Sequence, residues 1–195
     1  MTDTINNLNL VREVSGREIP AAGTYTLDPS HSTVEFVARH LMVSKVRGRF
    51  NEVQAEITIA EVPEESHVEV TIATASVSTG EPNRDEHLRS ADFFDAETYP
   101  TMTFRSTKVE PVRHDKWEVT GDLTIRGVTK PVVLDVEFNG AGPTPWGTSA
   151  VGFSASTEVD REDWGLTWNA ALETGGVVVG KRVRIELEVE ATRNQ

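Results

Sequence analysis

The sequence predicts an all-β fold, an antiparallel eight-stranded β-barrel with one short helical insert. Three observations predict it. Apolar and polar residues alternate through most of the chain, the breaks between alternating runs are short and turn-forming, and one stretch, Thr79–Pro100 (TGEPNRDEHLRSADFFDAETYP), interrupts the strand pattern. Strict alternation sets one face against a core and the other against water, the pattern of antiparallel strands rather than of a parallel sheet covered on both sides.

Taken in order, residues 1–22 show no sustained period and read as a loosely ordered N-terminal arm, or a short helix around Leu8–Val14, ahead of a barrel domain over residues 23–195. Val34, Phe36 and Ala38 alternate with Glu35 and Arg39, and Ala55, Ile57 and Ile59 with Glu56 and Thr58. Val68, Val70 and Ile72 repeat the pattern ahead of the interruption, and Met102 and Phe104 resume it afterwards. Trp117, Val119, Leu123 and Ile125 follow, then Val132, Leu134, Val136 and Phe138. In the last run Val183, Ile185, Leu187 and Val189 face one way, while Arg182, Arg184, Glu186, Glu188 and Glu190 face the other. His114-Asp115-Lys116, Arg126-Gly127 and Asn139-Gly140 read as hairpin turns. So many strands in one domain must stack as two sheets or close, and closure removes the exposed edges.

At 195 residues the chain suits a single domain with a substantial core. The formal net charge of −12, from 31 acidic against 19 basic residues, has the wrong sign for binding nucleic acid or an anionic membrane surface. The absence of cysteine excludes thiolate nucleophiles, thiolate metal sites and disulfides. The N-terminus MTDTINNLNLVREVSGREIP has neither a basic start nor a long apolar run, and a cytoplasmic protein that is not integral to a membrane is expected.

Within the interruption, Asn83 followed three residues later by Glu86 resembles a capping box and starts a short helix running to about Ser90, with Asp92 as a candidate cap for a second turn. This helix reads either as a lid presenting Leu88, Phe93 and Phe94 to the barrel mouth or as a plug completing the core, and the two are compatible. The inward candidates are almost wholly apolar: Phe36, Phe50, Met102, Phe104, Leu123, Leu134 and Phe153. A barrel of about eight strands either fills its interior with such side chains or holds one small ligand.

Four segments together resemble the YceI-like family: TLDPSHS after Tyr25, running into VEFVARH; RDEHLRS with DFFD and Tyr99-Pro100; GDLTIRGVTKPV from Gly121; and Asp163-Trp164-Gly165-Leu166 followed by Gly180-Lys181-Arg182-Val183. The resemblance spans about Gly23 to Thr192. It implies a lipocalin-like barrel that binds, transports or stores a long-chain isoprenoid lipid of quinone or polyprenyl type, or a related amphiphile. It implies no catalysis and no cofactor beyond the bound lipid, and it makes a homodimer plausible. Well-known members are exported with a signal peptide; the N-terminal pattern here does not resemble one, so a departure from that setting is expected. The ligand-binding candidates are then Phe36, Ala38, Phe50, Leu88, Phe94, Met102 and Phe104, with Leu123, Ile125, Leu134, Val136, Phe153, Leu166 and Trp168.

Lys45, Arg47 and Arg49 form a positive cluster in an acidic protein and are candidates to meet a phosphate or pyrophosphate headgroup, a plain surface role being the alternative. His31, His40 and His87 lack metal-ligand spacing and no metal site is expected. Instead Asp28, His31, Asp85 and His87 are expected to hydrogen-bond and pin the helix to the first strands. The Asp160-Arg161-Glu162-Asp163 run reads as a solvated corner, with Trp164 in the core. No G-x-S-x-G elbow, H-E-x-x-H pair or phosphate loop between strand and helix occurs, and no catalytic residue is expected. The rival readings are an enzyme acting on a lipid or quinone in the cavity, and a solidly packed structural or stress-response barrel without ligand.

Overall fold

The structure, a computed structural model, describes residues 10–145, 147–171 and 177–194. A two-stranded hairpin, β1 (Val11–Val14) and β2 (Arg17–Pro20), comes first. The expected helix around Leu8–Val14 is not found over Val11–Val14: Ser15 and Gly16 both take positive φ (53° and 74°) and fold the two flanking segments into antiparallel register. Ile19 is only 3% exposed, so this part of the expected loose arm is packed down, while residues 1–9 lie outside the described residues.

The remaining strands are β3 (Gly23–Leu27), β4 (Thr33–His40), β5 (Ser44–Phe50), β6 (Val53–Ile59), β7 (His67–Ala73) and β8 (Val77–Ser78). After the helix α1 (Pro82–Arg89) come β9 (Thr101–Arg113), β10 (Lys116–Ile125), β11 (Val128–Pro143), β12 (Ser149–Asp160) and β13 (Val179–Arg193). Neighbouring strands pair antiparallel in the ring β3, β6, β7, β9, β10, β11, β12, β13, and β13 returns to β3, so eight strands close an antiparallel barrel. The first three wall strands are broken in the middle. β3 and β4 lie end to end along one edge of β13, β5 continues the line of β6, and β8 that of β7.

Local chemistry explains the first break. Asp28 accepts the Ser30 amide at 2.8 Å, a side-chain turn beside Pro29 that looks out of the ladder. Ser32 then repairs the ladder: its Oγ donates to the Glu190 carbonyl and accepts from the Glu190 amide, both at 3.0 Å. Asn139-Gly140 is not a hairpin turn. The register of β11 shifts between Phe138 and Gly140, whose φ is 119°, so the glycine marks a bulge inside one long strand and the true turn lies beyond Pro143.

α1 starts at Pro82, one residue ahead of the expected cap. Proline suits the first helical position because it has no amide hydrogen to leave unpaired. Glu81 is the cap, accepting from the Asn83 and Arg84 amides at 3.2 and 2.7 Å, and Asn83 is already inside the helix. Arg89 fastens the far end to the wall by donating to the carbonyls of Ala75 and Val77 at 2.8 and 3.1 Å.

Candidate ligand-binding cavity

Because side chains alternate across each strand, every wall strand sends an apolar row inward. Those rows do not meet in the middle: they line a cavity of ≈ 330 Å³, within the usual range of small-molecule sites. Val34, Phe36 and Ala38 of β4 line it, as do Leu123 and Ile125 of β10 and Leu134 and Val136 of β11. Val183, Ile185, Leu187 and Val189 of β13 complete the circuit. Ile19 and Pro20 reach it from the N-terminal hairpin, a contribution that an arm without periodicity gave no reason to expect.

α1 and the turn behind it close one end with two aromatic clusters. Facing the cavity, the Phe94 ring lies 5.5 Å from Phe50 and 6.5 Å from Phe36, which are themselves 5.8 Å apart. In the second, His87 stands edge-on to Phe93, which also lines the cavity, at 5.0 Å and to Trp168 at 4.6 Å, and its Nε2 is 2.8 Å from an Asp92 carboxylate oxygen. Asp92 therefore holds the histidine rather than capping a turn, and the Ser90 carbonyl accepts the Phe93 amide instead.

Of the residues proposed from sequence to touch ligand, Phe50, Leu88, Met102, Phe104, Phe153 and Leu166 line the cavity together with those named above and Phe94. Trp168 does not: its ring is taken up by His87 and Phe93. Lys45, Arg47 and Arg49 do not either. They alternate along β5 with the inward Phe50, so all three are exposed on the outer face, and Arg47 is paired with Glu186 at 2.8 Å. The Glu186 hydrogen bond raises the Arg47 pKa and holds the Glu186 carboxyl below its usual range.

The expected anchor is two separate devices. Asp85, 7% exposed, accepts from the Thr79 amide at 2.7 Å and the Thr79 hydroxyl at 2.6 Å, tying α1 to the end of β8. His31 bonds Asp28 at 2.9 Å through Nδ1 at the β3–β4 break, exposed to solvent and with no bond to the helix. Asp28, His31 and Glu190 are the one group of potential metal ligands close enough to share an ion among the described residues, and neither His40 nor His87 belongs to it.

One residue that sequence reasoning misplaced stands out. Arg161, read as part of a solvated corner, is 5% exposed and lines the cavity. It opens the 3-10 turn Arg161–Trp164, which ends on Gly165 in the left-handed region at φ 74°. The register of β13 against β4 slips between Val179 and Val183, and the Gly180 carbonyl within that slip accepts from Arg161 Nε at 3.1 Å. Arg161 Nη1 donates to the Leu166 carbonyl. The only hint in the sequence is the apolar Trp-Gly-Leu that follows, which pulls the whole turn inward: Trp164 is 2% exposed and donates from Nε1 to the Leu123 carbonyl at 3.0 Å.

A closed antiparallel barrel around an apolar cavity, lidded by a short helix, defines a lipocalin-like protein. The YceI-like domain model matches residues 25–191, and the chain belongs to the YceI-like family. A UPF0312 protein of Staphylococcus aureus (strain N315) is 38% identical over 169 residues, covering 85% of this chain and 95% of the relative. Among solved structures, Burkholderia cenocepacia BcnA matches with a TM-score of 0.75 and 25% identity over 85% of this chain and 99% of its own. The Campylobacter jejuni YCEI protein gives 0.69 and 35% over 80% and 90%. A polyisoprenoid binding domain from Saccharophagus degradans shares the fold, with a TM-score of 0.66 at 19% identity over 89% and 100%.

Proposed function

We propose that the protein binds a long-chain isoprenoid, of quinone or polyprenyl type, or a related single-chain amphiphile in the barrel interior, and carries or stores it without chemical change. The observation that carries this reading is the cavity, walled by apolar side chains from all around the barrel and capped by Phe94 and Leu88. Each methylene moved from water into such a space contributes roughly 0.8 kcal/mol before ordering costs are subtracted. A prenyl or acyl chain therefore needs few polar contacts to bind. The polyisoprenoid-binding description of the Saccharophagus degradans domain supports the ligand class. A solidly packed barrel fits this interior poorly. Of the polar residues along the wall, Glu35, Ser66, His67, Thr157 and Arg161, only Ser66 and His67 adjoin, and Ser66 Oγ accepts the Ala60 amide at 3.0 Å with no hydrogen bond to His67 among the described residues, which favours binding over an enzyme.

Organic extraction of the purified protein followed by mass spectrometry tests this directly. A prenyl or long-chain acyl lipid at near-stoichiometric amount is the expected result. Recovery of no such lipid, together with failure of the stripped protein to take up farnesol, would overturn the proposal.

A further inference from the structure

The N-terminal hairpin lies across the end of the barrel opposite α1. β6, β9, β11 and β13 finish at that end, and β3, β7, β10 and β12 start there, whereas α1 joins the other end between β8 and β9. Residues opposed on an antiparallel ladder share a face, as do residues two apart, so Arg12, Val14, Arg17 and Ile19 lie on one side of the hairpin. That side meets the barrel at three places. Arg12 Nη1 donates to the Glu61 carbonyl at 2.8 Å and Nη2 to that of Ala60, just past the end of β6. The Arg17 guanidinium lies over the Trp117 ring at 5.8 Å, at the start of β10. Ile19 lines the cavity and is 3% exposed. β6 and β10 stand three places apart in a ring of eight, so the hairpin straps across the opening instead of lying along one wall strand. Its other side carries the opposed, exposed Glu13 and Glu18. The segment that follows is fixed too: the Ala21 amide donates to the Leu10 carbonyl at 2.9 Å and the Tyr25 hydroxyl to the Ala21 carbonyl at 2.7 Å.

We propose that this hairpin is the floor of the cavity and sets the chain length of the ligand, with Ile19 as the side chain that stops it. The inference rests on the amphiphile-binding reading above and adds a specificity-determining element to it. The hairpin lies ahead of residues 25–191, so membership of the family does not by itself assign it a role. Phe138 and Phe153, their rings 5.5 Å apart, line the cavity at the same end, so the floor is apolar and rigid where Ile19 and Pro20 meet it. From Ile125 near the lid to Trp117 at the floor β10 runs eight residues, about 27 Å along the strand and about 20 Å along the barrel axis at a tilt of about 40°. A chain gains affinity with every methylene that finds room in that length. The first methylene beyond it must either displace Ile19 from a packed position or stay in water, and the gain ends there.

The test titrates straight-chain primary alcohols, from decanol to eicosanol in two-carbon steps, into the delipidated full-length protein and reads displacement of a fluorescent long-chain probe. For the wild-type protein each step should tighten binding roughly tenfold until the chain fills the space, after which the gain stops. Ile19→Ala is expected to move that stop at least one step longer, and Ile19→Phe at least one step shorter. A wild-type series without a stop, or a stop that either folded variant leaves in place or moves the other way, would overturn the assignment and leave the binding function standing. Should no alcohol bind the wild-type protein, the binding function itself falls and this inference with it. If neither variant folds, a chain of the stopping length bearing a diazirine at both ends is photolysed in the wild-type protein. An adduct within β2 is expected, and its absence there would overturn the assignment.

Discussion

The ring of Phe36 lies across Gly48 on the neighbouring strand, so closely that a Cβ built on the glycine would fall 2.2 Å from the ring's Cζ. The glycine lets the aromatic fold flat against the wall, which opens the space between Phe36, Phe50 and Phe94. Gly48→Ala must push the ring off the wall. In a close-packed core that costs about 1–3 kcal/mol, and here the cavity gives the ring somewhere to move, so the lower end applies. Thermal unfolding should drop modestly while capacity for a long-chain probe falls clearly. An unchanged probe affinity would show that Phe36 does not border the occupied space.

Asp85 holds the lid by accepting both the amide and the hydroxyl of Thr79, and Arg84 Nε reaches the same hydroxyl at 2.7 Å. Asp85→Ala leaves two half-buried donors of Thr79 without their acceptor, at a cost of about 1–2 kcal/mol. Chemical denaturation should report that loss, and hydrogen exchange should quicken first in Pro82–Arg89 rather than in the wall strands. Uniform acceleration through the barrel would mean that Asp85 supports the whole fold and not the lid.

Alternation makes the inner face legible wherever a strand is long and unbroken, as in Trp117–Ile125, Val132–Phe138 and Val183–Val189, and most cavity-lining residues can be read from the sequence in this way. It could not show where a strand pauses and resumes. Asp28–Ser32 leaves the ladder and Ser32 restores it with a side chain, a contact with Glu190 more than a hundred residues away in sequence. Ser15-Gly16 did carry a hairpin signal, a two-residue turn between segments of equal length, and lack of apolar period obscured it. The burial of Arg161 was out of reach, because its acceptors at Gly180 and Leu166 arise from a register slip and a turn that exist only once β12 and β13 are paired.

His31 and Asp28 form an exposed pair whose titrations move in opposite directions. The Asp28 hydrogen bond, with the charges of Asp28 and Glu190, raises the His31 pKa, and the same bond, helped by the Ser30 amide, lowers that of Asp28. The His31 contribution to stability is therefore full below the ordinary imidazole value and is lost as pH rises through its raised value. The Asp28 contribution is present above the ordinary carboxyl value and is lost as pH falls through its lowered one. His31→Gln should thus lower the melting temperature more at about pH 5.5 than at about pH 8.5. In an NMR titration Asp28→Asn should return His31 towards the usual value, and an unmoved His31 would rule the pairing out in solution.

Phe94 lines the cavity and Trp168 does not, so truncating each should separate binding from closure. Phe94 lines the cavity and packs edge-on against Phe50, so Phe94→Ala removes apolar surface from the site itself. Fully burying a Phe side chain contributes about 1.5–3 kcal/mol, and Phe94 is half-buried, which makes a loss of about tenfold in affinity for a prenyl probe reasonable. Trp168 packs against His87 and Phe93 and does not itself line the cavity. Trp168→Ala should therefore leave equilibrium affinity within about threefold while loosening α1, seen as faster probe release and entry together with quicker hydrogen exchange in the lid. Stopped-flow exchange of a fluorescent long-chain probe distinguishes the two. A Trp168→Ala protein that binds as weakly as Phe94→Ala with unaltered exchange rates would place Trp168 in the site rather than outside it.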